Sequence, residues 1–245
     1  MDRRTMLAGM IAFAGEGLAG AAARQRPLFE GTPLAGNAIA RTYQRVNLAL
    51  PAARLVDEHG AASLAGLRGR TTILSLWAEW CAPCLAEMRD LAAIRRKYAG
   101  SRFDILAVLT ESRKPLDFHG ARERLASMGA GNVPLMIEPD GGARMLDGLS
   151  APPPPSVLAM LPKGYHPKGS LPCNLLVDSS GRVRGRSLGA PDVQNAGQKP
   201  GAGPQTLTEA QEQAMLSGAS RTAWSTALGD QFARALASGL LDRIR

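Results

Sequence analysis

Cys81-Ala82-Pro83-Cys84 places two thiols three residues apart, where an apolar run ends and a helix-like stretch begins. Thiols at that spacing can open and close a disulfide with little movement elsewhere. A thiolate attacks a disulfide and a thiol barely does. A cysteine at a helix N-terminus has its pKa lowered from about 8.5 to roughly 3.5–7.5, because unpaired N–H groups and the helix dipole stabilise the anion. Cys81 at the helix start is therefore the candidate nucleophile. Cys84, one turn on, falls on the same face and can reach back to resolve a mixed disulfide. Pro83 suits the first turn, where its missing N–H costs nothing. The same residues would also suit a zinc half-site or an inert structural disulfide. Zinc would need a second ligand pair, and His59, His119 and His166 show no such spacing.

The elements that must position these thiols read as an α/β alternation. Thr71–Trp77 is β-branched and apolar over strand length, as a buried parallel strand should be. From Cys84 onward Leu85, Met88, Leu91, Ala92 and Ile94 recur at helical spacing. A strand entering a turn is expected over Leu55–Gly60, further strands at Phe103–Leu109 and Val133–Ile137, a helix at Leu116–Met128, and a turn at Asp140-Gly141-Gly142 leading into 143–149. Asn174–Asp178, Ser179-Ser180-Gly181 and Arg182–Leu188 form a hairpin signal. The β–α–β order implies an α/β fold, with a parallel sheet, right-handed crossovers and helices on both faces.

At 245 residues the chain accommodates one domain with extensions. Residues 1–23 read as an export signal. Arg3 and Arg4 precede ten uncharged residues, Met6–Gly15, and Ala21-Ala22-Ala23 ends the segment. The arginine pair suits a twin-arginine signal as well as the general secretory route. Glu16 leaves the apolar run too short to span a bilayer, so an uncleaved anchor would lie in the interface. Residues 24–46 show no sustained period and read as a tether or N-terminal extension. A single α/β domain would then occupy 47–245, with a Pro-rich surface insertion at 151–169, a flexible Gly/Pro/Gln/Asn-rich loop at 190–206, and helices at 208–215 and 224–244. The last carries Leu228, Phe232, Leu236 and Leu240 at four-residue spacing.

The net charge of +8 survives signal removal, since residues 1–23 carry two acidic and two basic groups. It suits an anionic membrane surface or an acidic partner. No basic stripe interleaved with aromatics supports nucleic-acid binding. Three cysteines are too few for a disulfide-stapled exported scaffold.

Leu67–Arg70 and Ile73–Met88, with Trp77-Ala78-Glu79-Trp80 leading into the dithiol, resemble the TlpA/ResA-type thioredoxin-like proteins, thiol–disulfide oxidoreductases of the bacterial periplasm. The resemblance spans about Leu55 to Leu188. It implies a thioredoxin fold with a central mixed sheet and flanking helices, Cys81 as attacking thiol, Cys84 as resolving thiol, and Glu87 as a glutamate tuning their proton affinity. Leu171-Pro172 matches the family's cis-proline loop, which would border the substrate groove together with Trp80 and Pro83. Cys173 stands where the family commonly has Thr, and reads either as a buried small hydrophobe or as an auxiliary thiol near Cys81. Arg89 replaces a family proline, which should straighten the helix.

The resemblance implies client protein disulfides as substrates, among them apocytochromes c and oxidase-assembly proteins. An upstream thiol protein would supply electrons. No metal or organic cofactor is expected, the redox equivalents residing in the Cys81–Cys84 pair. The alternative is a non-catalytic Cu(I)-binding assembly module that uses the same cysteines. A peroxiredoxin-type peroxidase would need a Pro-x-x-x-Thr-x-x-Cys arrangement that the chain lacks.

Overall fold

The structure is a computed structural model describing residues 26–111, 117–139, 156–160, 171–189 and 222–244, with single positions at 210, 213 and 217. In chain order the elements are α1 (Ala38–Thr42), β1 (Gln44–Ala49), β2 (Leu55–Asp57), β3 (Gly60–Ala62), β4 (Thr71–Ala78), α2 (Ala82–Lys97), β5 (Phe103–Glu111), α3 (Phe118–Ser127), β6 (Leu135–Ile137), β7 (Cys173–Val177), β8 (Arg182–Leu188), α4 (Ala227–Ala237) and α5 (Leu240–Arg243). Short 3-10 turns lie at Leu64–Leu67, Val157–Met160 and Ala223–Ser225.

The strands form one mixed sheet in the order β1-β8-β7-β4-β5-β6-β2-β3. β4 pairs parallel with β5, and β5 with β6. The other pairings are antiparallel. β4 is buried at all eight positions, as a strand covered on both faces must be. Helix α2 returns the chain to the parallel neighbour β5, since parallel strands need a crossover rather than a tight turn. Cys81 thus sits three residues past the end of the central strand, where the chain turns into α2. Arg89 lies within α2, which runs uninterrupted from Ala82 to Lys97.

The hairpin expected from Asn174 to Leu188 is present as β7 and β8. Its turn is held by Asp178, which accepts hydrogen bonds from the Ser180 and Arg182 amides.

Residues 24–46 are not a tether over their described part. Leu28, Phe29, Leu34, Ile39 and Tyr43 are all buried. Burying a side chain of this kind is worth about 1.5–3 kcal/mol, too much for a segment left free. They sit on turns and a five-residue helix, so no single period marks them. Gly185 of β8 accommodates this segment, because a Cβ there would lie 2.5 Å from Leu28 Cδ2.

The insertion reading also needs correction where it is described. Ser156, Val157 and Met160 are buried. Glu138 accepts the Val157 amide at 2.9 Å, and Arg186 donates to the Met160 carbonyl at 2.7 Å. The rest of 151–169 lies outside the described residues, as do 1–23, 143–149 and 190–206. Of the helix expected at 208–215, Ala210 and Gln213 are described and helical.

The expected helix at 224–244 is broken. Thr226 caps α4 through the Leu228 amide, and Gly239 at φ 77° separates α4 from α5. Left-handed backbone of this kind favours glycine. Gly229 allows the Ala223–Ser225 turn to press against α4, since a Cβ would come within 2.2 Å of the Trp224 carbonyl oxygen. That contact is with backbone and cannot rotate away. Gly229→Ala is expected to lower unfolding free energy in urea by about 1–3 kcal/mol; an unchanged midpoint would count against this packing.

Candidate active site

Cys81 and Cys84 are joined as a disulfide with Cα atoms 5.2 Å apart. Cys81 is the N-cap of α2, and its Sγ accepts a hydrogen bond from the Cys84 amide at 3.3 Å. A sulfur thus occupies the position that an N-cap oxygen takes in other helices. Pro83 lies in the first turn, half-buried. Cys81 keeps 5% of its surface exposed, whereas Cys84 has none. Cys81 is therefore the more exposed of the two cysteines, and Cys84 is closed to solvent. On reduction, the first-turn amides and the helix dipole favour a thiolate at Cys81.

Glu87, three residues after Cys84 on α2, shares that residue's helix face. It is fully buried. Its Oε1 accepts from the Trp224 indole N–H at 2.6 Å and the Asn174 side-chain amide at 2.9 Å. Its Oε2 has no hydrogen-bond partner among the described residues. Burial pushes this carboxyl from an ordinary 4.5 up to about 7. The two donors pull it down, and Asp90 adds to the rise. A carboxyl whose proton leaves near neutrality is suited to acid–base work beside thiols.

The Leu171–Pro172 bond is cis. Leu171 and Pro172 are both buried at the start of β7, and the Pro172 carbonyl accepts the Gly189 amide at 2.8 Å. Cys173 pairs in register with Leu76 of β4. It is fully buried, and that burial pushes its thiol up to about 12, with Arg186 pulling the other way and Glu87 adding to the rise. Cys173 is consequently a neutral thiol at physiological pH and a poor nucleophile.

Trp80 is half-buried beside the dithiol in sequence, and Trp77 is fully buried in the core. Glu79 is half-buried. Asp57 and His59 make a turn, with the His59 amide donating to Asp57 Oδ1 at 2.8 Å. Among the described residues no group of three or more His, Cys, Asp or Glu is placed to hold a metal ion.

Sequence reasoning missed the residues that surround Glu87. Trp224 and Asn174 come from 137 and 87 positions away, and Tyr43 comes from the N-terminal segment. The buried Tyr43 phenol is raised well above its ordinary value by burial, by Glu87 and by Cys173. No local periodicity links these residues. The one available signal was the pair of tryptophan and asparagine side chains, whose polar groups need partners when buried.

Glu87 gives the oxidised protein a pH-dependent stability of defined sign. The unfolded chain loses this proton near 4.5 and the folded chain near 7. The native state therefore binds more protons in that interval, and stability falls as pH rises through it. Urea unfolding of the wild type should show this decline between about pH 4.5 and 7, and Glu87→Gln should flatten it. A slope that persists in the variant would assign the titration elsewhere.

Residues 45–154 match the Redoxin family. The chain is also similar to a putative thiol:disulfide interchange protein DsbE from Chlorobium tepidum, with 21% identity over 70% of this chain and 96% of that one, at a TM-score of 0.43. A putative protein disulfide isomerase from Bacteroides thetaiotaomicron is 19% identical over 59% of this chain and 79% of that one, at a TM-score of 0.41. A secreted disulfide oxidoreductase of Mycobacterium tuberculosis is 15% identical over 53% of this chain and 78% of that one, at a TM-score of 0.36. The Redoxin match contains β4, the dithiol, α2 and Glu87. The central strand of the mixed sheet, the dithiol at its end and the helix that follows thus all lie within the stretch that matches the Redoxin family, and the cis-proline lies outside it, before the strand that pairs with β4.

Proposed function

We propose that the protein is exported and reduces disulfides in client proteins. The observation that carries this reading is the disulfide between an accessible Cys81 at the α2 N-terminus and a screened Cys84. In the reduced enzyme the Cys81 thiolate attacks one sulfur of the client disulfide, and the other client sulfur leaves as a thiolate and takes up a proton. Cys84 then gives up its proton and attacks Cys81 Sγ in the mixed disulfide. The client departs as a dithiol and the enzyme keeps the Cys81–Cys84 disulfide. An upstream dithiol protein returns the two electrons. No organic cofactor enters this cycle, because the sulfur pair itself carries the electrons.

Glu87 serves Cys84 in this scheme. Its carboxylate, one turn along α2, receives the proton that Cys84 must lose, and returns one when the pair is reduced again. A carboxyl titrating near 7 can do both at neutral pH. Trp80, Pro83, Leu171 and Pro172 border the surface on which the extended client lies. The clients implied by the family resemblance are proteins of cytochrome c or oxidase assembly. Export rests on residues 1–23, and the charge of +8 favours peripheral contact with an anionic membrane. No helix among the described residues is long and apolar enough to cross a membrane. The Cu(I)-binding alternative gains no support from Cys173, whose thiol is buried and protonated.

Insulin-disulfide reduction tests the assignment. Cys81→Ser is expected to abolish turnover and Cys84→Ser to accumulate mixed disulfides with clients, while Glu87→Gln slows turnover by roughly a hundredfold. Activity retained by Cys81→Ser would overturn the reading. In the doubly substituted Cys81→Ser, Cys84→Ser protein, Ellman's reagent should find Cys173 only after denaturation. Rapid reaction of the folded protein would restore Cys173 as an auxiliary thiol.

A further inference from the structure

The polar groups holding Glu87 come from outside the Redoxin-matched stretch, which ends at residue 154. The shorter of its two hydrogen bonds is donated by Trp224, on the turn that precedes α4. Both side chains are buried. An indole N–H can only donate, and a bond to an ionisable carboxyl away from water is of the stronger kind.

The indole is also fixed in place from several sides. The Thr222 amide and hydroxyl both donate to Asp90 Oδ2, at 3.0 and 2.8 Å. Thr222 Oγ1 in turn accepts the Trp224 amide at 3.3 Å. Residues 222–224 thus grip α2 at two carboxyls one turn apart. Phe232 of α4 meets the indole edge-on, with ring centroids 5.5 Å apart, and stacks on Tyr43 at 5.4 Å. Farther along α2, Lys97 and the Tyr98 hydroxyl bind Asp230 of α4. The stretch from Thr222 to Asp230 is thereby tied to the helix that bears the dithiol.

We propose that Trp224 is a positioning residue for the dithiol reaction: its indole N–H fixes the Glu87 carboxyl one turn behind Cys84 and sets how tightly that carboxyl holds its proton. The inference rests on Glu87 being the proton carrier described above. The titratable groups bearing on Glu87 are Asp90 on its own helix, Tyr43 from the N-terminal segment and Cys173 from β7, with Arg186 of β8 acting on Cys173. Among the described residues the terminal segment contributes a neutral donor at the carboxyl, whose effect has one sign. The indole favours the ionised form, and its loss raises the pH at which the proton leaves.

The experiment follows the Glu87 carboxyl by carbon-13 NMR titration of the oxidised protein, and the pH profile of Cys81 alkylation by iodoacetamide in the reduced protein. Trp224→Phe keeps an aromatic ring without the N–H and is expected to move the carboxyl midpoint up by about one pH unit, with the alkylation inflection following. Thr222→Val loosens the grip on Asp90 while retaining the indole. It should shift both in the same direction by less, and carries the test if Trp224→Phe does not fold. Phe232→Leu keeps every hydrogen bond at the carboxyl and removes only an edge contact to the indole, so it should lower the thermal midpoint and move both titrations by less than Thr222→Val does.

Titrations unmoved in Trp224→Phe and Thr222→Val, while Glu87→Gln shifts the alkylation inflection, would overturn the role of Trp224 and leave that of Glu87 standing. Equal shifts in all three variants would also overturn it, by reducing the effect to packing. An alkylation profile unchanged by Glu87→Gln would instead overturn the reading of Glu87, and the inference with it.

Discussion

A sulfur atom capping a helix is the constraint on which the rest of the molecule depends. Cys81 can carry negative charge because the amides of the first turn of α2 point at it without backbone partners of their own. That arrangement requires α2 to begin at a defined place, which in turn requires β4 to end one residue cluster before it. β4 is secured by β5 on one side and β7 on the other, over eight and five paired positions. The sheet thereby fixes the end of the strand, and the strand end fixes the sulfur.

Behind the sulfurs lies the opposite kind of group, a carboxyl with no access to water. Burying Glu87 disfavours its ionised form, and the Trp224 and Asn174 donors restore part of that loss. The balance places the proton near neutrality, where a thiol chemistry needs it. Neither effect alone would do so: burial without donors would keep the carboxyl neutral throughout, and donors without burial would leave it an ordinary glutamate. The N-terminal and C-terminal segments matter because they supply this enclosure. Phe29, Tyr43, Trp224 and Phe232 form one aromatic cluster built from both.

The dithiol, β4, α2 and the β7–β8 hairpin were legible in the sequence because each is a local pattern. Apolar runs, helical spacing and the Asp178–Gly181 turn all declare themselves within a few residues. The cis-proline at 172 was legible only through resemblance, since isomer state leaves no mark in composition. What stayed hidden was nonlocal. Residues 26–43 looked unstructured because their apolar side chains serve turns facing an aromatic cluster rather than one helical stripe. The break at Ser238-Gly239 was masked by the regular spacing of Leu228, Phe232, Leu236 and Leu240, which continued the period across a left-handed residue. Ser156, Val157 and Met160 read as surface because neighbouring prolines dominate the segment, yet Glu138 and Arg186 hold it against the core.

The charge on Cys81 is the point where these contributions meet. Its most direct test is the rate at which iodoacetamide labels residue 81 of the reduced wild-type protein at pH 7, set beside free glutathione under the same conditions. The account predicts labelling of Cys81 faster by about tenfold or more, since a thiol whose pKa is lowered by a helix N-terminus is more ionised at pH 7 than that of glutathione. Labelling no faster than glutathione would contradict it.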